Sequence, residues 1–459
     1  MQHNQTSSSM TANEELRAHD PQAAERPDRF PERMIKEMES MARFEKDFLL
    51  GAATAAHQVE GNNTNSDNWA QEQMQHSSFA EPSGMACDHY NRYEEDIKLM
   101  AKDGLNAYRF SIEWARIEPE EGVFSEKETQ HYRDVIRCCK ENGLTPIVTL
   151  HHFTSPVWLI RKGGWEADTT PADFARYARY IAEQYGSELK HICTINEANM
   201  GIQIAAVARQ IFQQMVAAGK VQVGVNLEDL MKGNPFLAQE NMNAFGTEKP
   251  ATFVSPRTAH GDKIVMQAHA AARQAIREAA PHIMVGWTLS LHDVQSISGG
   301  EEKAKEEWDQ EFTHYLPVMA EDDFLGVQNY SRTIIGPDGS LPVPEGREKT
   351  QMDYEYYPEG IAHVLRRVAK DFHGDLIVTE NGIATADDSR RVAFIDTATK
   401  GVAECIAEGL PVKGYLYWSL LDNSEWQKGY AMTFGLIGVN RETQQRQPKA
   451  SLSFLGTLR

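Results

Sequence analysis

The sequence predicts an α/β fold: a single (β/α)8 TIM barrel with long βα loops, preceded by a polar N-terminal extension. Three observations carry this. Eight short apolar runs alternate with amphipathic helical stretches. The runs lack a polar face, as strands covered on both sides do. No Gly-rich turn of the G-x-G-x-x-G or G-x-x-x-x-G-K-[ST] type follows the first run, as an open nucleotide-binding sheet would have. Strand–helix alternation gives right-handed crossovers and a parallel sheet, and eight such units fit a closed barrel.

The runs are Phe48–Ala53, Ala107–Ile112, Pro146–His151, His191–Ile195, Ile283–Leu289, Phe324–Gln328, Leu376–Thr379 and Lys413–Trp418. The helical stretches are Asp88–Lys102, Glu126–Glu141, Pro171–Tyr185, Asp262–Ala279, Pro358–Phe372 and Asp388–Glu408. Thr170 and Pro171 read as an N-cap followed by the first helical residue. Gly143 and Gly186 stand where helix C-caps belong. Gly299-Gly300 before Glu301-Glu302-Lys303 reads as a loop and a solvated helix start. Residues 1–43 form the polar extension: residues 1–28 read as a flexible tail, and Ile35, Met38 and Met41 make a weak helical stripe. Residues 44–459 are the barrel.

Composition removes several functions. Lys and Arg number 46 against 66 Asp and Glu in 459 residues, a net charge of −20. Such a chain repels phosphate backbones, so nucleic acid is not expected as a partner. No apolar run approaches the ~18–20 residues of a membrane span, so no membrane is expected. The N-terminus lacks the basic and apolar regions of a secretory signal. Cys87, Cys138, Cys139, Cys193 and Cys405 are scattered, odd in number and without a C-x-x-C pair, as expected of buried thiols in the cytoplasm.

The carboxyl ends of barrel strands carry the chemistry, so the residues that end each run are the test. The first run leads into His57-Gln58. The second holds Arg109. The third ends in His151-His152-Phe153, the fourth in Asn196-Glu197 and the sixth in Asn329-Tyr330. The seventh ends in Glu380-Asn381-Gly382, and the eighth in Trp418, before Asp422-Asn423-Ser424-Glu425-Trp426. A lone Glu after a strand usually caps a helix or faces solvent. Two carboxylates, an Arg, amides, a Tyr and several Trp at one rim point to glycoside chemistry. One carboxyl protonates the leaving oxygen, while the other attacks the anomeric carbon or activates water. Trp faces cover the C–H face of a sugar, and Arg109 keeps a carboxylate ionised. Other chemistries lack their motifs: His151-His152 has no H-E-x-x-H or Cys partner for a metal, and no G-x-S-x-G elbow occurs.

Five ordered blocks, FLLGAATAAHQVEG (48–61), YRFSIEWARIEP (108–119), TINEAN (194–199), IVTENG (377–382) and YWSLLDNSEW (417–426), resemble glycoside hydrolase family one. That is the family of retaining β-glucosidases and β-galactosidases, and the resemblance runs from Phe44 to the C-terminus. It implies Glu380 as nucleophile and Glu197 as general acid/base, with Asn196 on the sugar 2-hydroxyl and Arg109 and Tyr330 beside the nucleophile. It implies Gln58, His152, Trp418, Glu425 and Trp426 around the non-reducing sugar, a small-molecule β-glycoside as partner, and no metal or organic cofactor. A homo-oligomer is left open. A retaining pair stands ~5–5.5 Å apart, whereas an inverting pair needs ~6.5–9.5 Å. The branch of the family that cleaves 6-phosphorylated glycosides has Ser where this chain has Glu425.

The chain departs from the family pattern in places. Ala198 stands at a usual Pro, and Gln328-Asn329-Tyr330 at an Asn-Tyr-Tyr block. Ser424 stands at a usual Phe, Thr433 at a basic position, and residues 200–257 follow no usual loop. The expected function is hydrolysis of unphosphorylated β-glucosides. Transglycosylation with the same carboxylates is the alternative. A catalytically inactive sugar-binding protein is disfavoured, because both carboxylates are present.

Overall fold

The computed structural model describes residues 42–217 and 234–459. Eight parallel strands close into a barrel in chain order. They are β1 (Leu49–Ala53), β2 (Ala107–Ser111), β3 (Thr145–His151), β4 (His191–Ile195), β5 (Met284–Ser290), β6 (Phe324–Gln328), β7 (Asp375–Asn381) and β8 (Val412–Trp418). Leu49 pairs with Gly414 and Gly51 with Ala107, so β1 joins β8 to β2 and closes the ring. Each apolar run in the sequence is a strand, with ends within two residues of those read. β2, β4 and β6 are buried throughout, which explains their lack of a polar face.

The outer ring comprises α1 (His89–Lys102), α2 (Glu126–Glu141), α3 (Thr170–Tyr185), α4 (Ala259–Ala279), α5 (Glu301–Glu311), α6 (Gly360–Val368), α7 (Asp388–Ala407) and α8 (Ala450–Gly456). Local chemistry sets their ends. Ser125 accepts from the Glu128 N–H at the start of α2, and Thr258 accepts from the His260 and Gly261 N–H groups at the start of α4. Past α2, Gly143 adopts φ +74°, the left-handed turn that suits glycine.

Two expectations need correction, and two hold with added detail. The residue before α3 is Thr169, because Thr170 is already helical and its hydroxyl donates to Gly164 O (2.6 Å). Gly186 is the C-cap of α3, as read, but at φ −54° and continuing into a 3-10 turn; a Cβ there would come 2.8 Å from the Ala280 Cβ, so close packing is what its lack of a side chain serves. The solvated helix start read at Glu301 is there, with Glu301, Glu302 and Lys303 exposed, and the helix runs on as α5 to Glu311. The helix read as Pro358–Phe372 is confined to Gly360–Val368, since beyond it the Lys370 and Asp371 N–H groups turn back three residues, to Arg367 O and Val368 O. The stripe at Ile35, Met38 and Met41 lies outside the described residues.

The barrel is filled rather than hollow. Small residues let the strands close: a Cβ on Gly51 would fall 1.9 Å from Ala107 O. Ala53, Ala107, Ile147, Cys193, Phe324, Ile377 and Leu416 pack in one cluster that extends up to Trp418 and Phe434. The loops above β5 and β6 add a three-stranded sheet of Asp293–Ser296, Arg332–Gly336 and Gly339–Ser340. Among the described residues, no helix is long and apolar enough to cross a membrane.

Candidate active site

A cavity of about 300 Å³ opens at the carboxyl end of the barrel. That size is at the lower end for a small organic ligand. Its walls include His152, Asn196, Glu197, Tyr330, Glu380, Trp418, Glu425 and Trp426. Thus eight of the ten residues singled out from the sequence line one space. Arg109 and Gln58 are fully buried just behind the wall.

Arg109 organises the floor. From β2 its guanidinium donates to Glu380 Oε1 through Nη1 (2.6 Å), to Asn196 Oδ1 through Nη2, and to Thr149 Oγ1 through Nε (3.0 Å). Tyr330 completes the Glu380 carboxyl by donating to Oε2 (2.6 Å). Glu380 lies where the pairing of β7 slips against both β6 and β8. Such a bulge bends the strand and re-aims a side chain. Burial lifts the Glu380 carboxyl above its ordinary range, and Arg109 and Tyr330 oppose that lift.

Glu197 follows β4 with φ +43°, in the left-handed region that a non-glycine residue seldom occupies. Its N–H donates to Thr288 Oγ1 on β5 (2.8 Å). Phe153 and Trp426, also in the wall, have φ +70° and +47°. Three unfavourable backbone conformations around one cavity are strain held by the surrounding packing. Among the described residues, Glu197 has no ion-pair partner. Burial, then the charge of Glu380, pushes its carboxyl up to about 8. The two carboxyls therefore differ in environment: one is clamped by a guanidinium and a phenol, and the other is held in its protonated form.

Asn196 Oδ1 accepts from Arg109, from Gln328 Nε2 (2.9 Å) and from Thr288 Oγ1 (3.2 Å). This fixes the amide, so that Nδ2 donates to His152 Nε2 (3.1 Å). The His152 proton then sits on Nδ1, a buried atom with no partner among the described residues. Burial, with the nearby Arg109 charge, keeps the ring neutral by holding its pKa well down. At the same end Gln58 Nε2 donates to Ser424 O (2.9 Å) and Glu425 Oε2 (3.3 Å), while Gln58 Oε1 has no partner among the described residues. Burial and the Glu380 charge push Glu425 up to about 8. His152 stacks against Trp418 at 5.5 Å and Trp426 at 6.0 Å; His57 backs Trp426 at 5.9 Å. Unsatisfied buried polar atoms beside aromatic faces suit a ligand that presents both hydroxyls and C–H faces.

Sequence reasoning missed Thr288, Gln328 and Ser290. Thr288 and Gln328 hold Asn196, and Ser290 lines the cavity beside Glu197 and favours its ionised form. Thr and Ser ending a strand carry no signal of chemistry, and only the β5–β6 register brings them to the site. It also missed Tyr354 and Met352, which reach the cavity from a long loop.

A closed barrel with two unlike buried carboxyls at the ends of its fourth and seventh strands defines a class, the barrel glycosidases. The sequence profile described as glycosyl hydrolase family 1 matches residues 40–343 and 343–458, so the chain belongs to that family and is a glycoside hydrolase. Beta-glucosidase A of Thermotoga maritima is 30% identical over 90% of this chain and 96% of its own length. A 6-phospho-beta-galactosidase of Staphylococcus haemolyticus is 28% identical over 90% of this chain and 97% of its own. The crystal structure of beta-glycosidase BGL167 is 44% identical, superposes with a TM-score of 0.83, and covers 90% of this chain and 96% of that one.

Proposed function

We propose that the protein is a retaining β-glucosidase that hydrolyses unphosphorylated β-glucosides by double displacement. The observation that carries this is the asymmetry of the two carboxyls. Glu380, held by Arg109 and Tyr330, is the nucleophile; Glu197, pushed up to about 8, is the proton donor. Glu380 attacks the anomeric carbon while Glu197 gives its proton to the departing oxygen. Glu197, now a carboxylate, takes a proton from water, which attacks the same carbon and restores Glu380. Asn196, His152, Gln58 and Glu425 bind the hydroxyls of the non-reducing sugar, and Trp418 and Trp426 cover its faces. Two inversions give retention. Proton NMR of the first-formed sugar should show the β-anomer; the α-anomer first would exclude the mechanism.

The pH dependence of kcat/KM should be bell-shaped. The acid limb follows protonation of the pair at Glu380. The alkaline limb follows loss of the Glu197 proton near pH about 8, so activity falls as pH rises through it. Glu197→Gln should remove the alkaline limb. An unchanged limb would assign the proton to another group.

Selection against phosphorylated substrates rests on Glu425. The described cavity walls contain no Lys or Arg, and Lys428, nearby in sequence, is exposed. A phosphate dianion at the sugar 6-position would find no cation in those walls, and beside it a Glu425 carboxyl that burial already pushes up to about 8 and that would repel it whenever ionised. Aryl β-glucoside should be cleaved about 100-fold better than its 6-phosphate, or more. Glu425→Ser should lose about 10–100-fold on the plain glucoside, because hydroxyls bound there are left unpaired. Comparable cleavage of the 6-phosphate by the native protein would overturn this selectivity. The five cysteines are free and buried, which supports a reducing compartment, and we place the protein in the cytoplasm.

A further inference from the structure

The cavity has two unlike ends. Polar atoms gather around Gln58, Glu425 and Trp426. The polar wall residues Asn68 and Gln427 belong to that same end: Gln427 adjoins Trp426, and Asn68 lies on the short helix Asp67–Glu72, whose Glu72 pairs with the His57 that backs Trp426. On the side of Glu197, Ser290 is polar and already bonded to that carboxyl, but the wall beyond it is apolar. Helix Met200–Ala217 begins three residues after Glu197, and its Met200 and Ile204, four apart and so on one face, line the cavity. Val254 lines it too, beside Phe253, which packs against Phe153 and Trp165. Met200, Ile204 and Val254 are half-buried, as at a mouth rather than in a core.

A leaving oxygen protonated by Glu197 must carry its substituent toward Glu197. The substituent therefore meets Met200, Ile204 and Val254. We propose that these residues form a subsite for an apolar aglycone, an alkyl or aryl group, and not for a second sugar ring. The proposal rests on the glycosidase reading above. An apolar group there removes its own surface and that of the wall from water, a gain of about fourfold per buried methylene. A second sugar would set hydroxyls against methyl and thioether groups that cannot pair with them.

The test compares kcat/KM for hexyl β-glucoside, methyl β-glucoside and cellobiose, which share one glycone and have alcohol leaving groups. Hexyl should exceed methyl by about tenfold or more, and should also exceed cellobiose. In Ile204→Asn and Val254→Asn, the hexyl-to-methyl ratio should fall at least threefold. That ratio does not depend on how much of a variant is folded. Equal rates for hexyl and methyl, cellobiose as the best of the three, or an unchanged ratio in both variants would overturn the proposal while the glycosidase function stands. No cleavage of these substrates or of aryl β-glucoside would remove that function and the proposal together.

Discussion

Replacing Glu380 with glycine should lower kcat/KM on an aryl β-glucoside by about 10⁴–10⁶-fold, the scale on which enzymes lose activity with their nucleophile. No other carboxyl of the cavity is clamped by Arg109 and Tyr330. Added azide should not restore hydrolysis. It should occupy the vacated space, attack from the face that Glu380 used, and give an α-glycosyl azide that the enzyme does not turn over. Product NMR distinguishes the two. The variant also strands a fully buried guanidinium, which costs about 3–5 kcal/mol, so circular dichroism must accompany the kinetics. Near-native hydrolysis in a folded variant would assign the nucleophile elsewhere.

Glu197→Ala should split its effect by leaving group. A dinitrophenolate departs with little protonation, so formation of the glycosyl-enzyme should survive, whereas a poor leaving group should lose about 10²–10⁴-fold. Breakdown of the intermediate needs the same residue as base and should become limiting. Azide needs no base, so it should accelerate turnover and yield a β-glycosyl azide. Equal losses for good and poor leaving groups would count against Glu197 as the acid.

The barrel was legible because strands buried on both faces leave apolar runs and their crossover helices leave amphipathic ones. Even the strand ends came within two residues. The fit was poorer where the deciding contact is distant in sequence. Gly186 has no left-handed φ, and its position answers to Ala280, which no local pattern reveals. At the site, charged and aromatic residues announced themselves at strand ends: Glu197, Glu380, Arg109 and Trp418 are types that seldom end a buried strand without a task. Their environments did not. That Arg109 also grips Asn196, that Asn196 sets the His152 tautomer, and that Thr288 holds both Asn196 and the Glu197 backbone are facts of register between β2, β4 and β5. The loop contributors Met352 and Tyr354 depend on a chain path that hydrophobic periodicity does not encode.

The guanidinium of Arg109 has a consequence for the rhythm of the reaction. In the resting protein it is neutralised by Glu380 at 2.6 Å, at a position fully buried from solvent. When Glu380 becomes an ester in the proposed double displacement, the negative charge of the pair moves to Glu197, and the acceptors left on the cation are neutral, Asn196 Oδ1, Thr149 Oγ1 and Thr379 O. Separating a buried ion pair is costly. The covalent intermediate is therefore raised in free energy relative to the resting enzyme by the group that held the nucleophile in place, and its hydrolysis restores the ion pair. Arg109 thus acts as a spring: compressed by the first displacement, it favours the second, and it keeps the sugar from resting on the enzyme as a stable adduct.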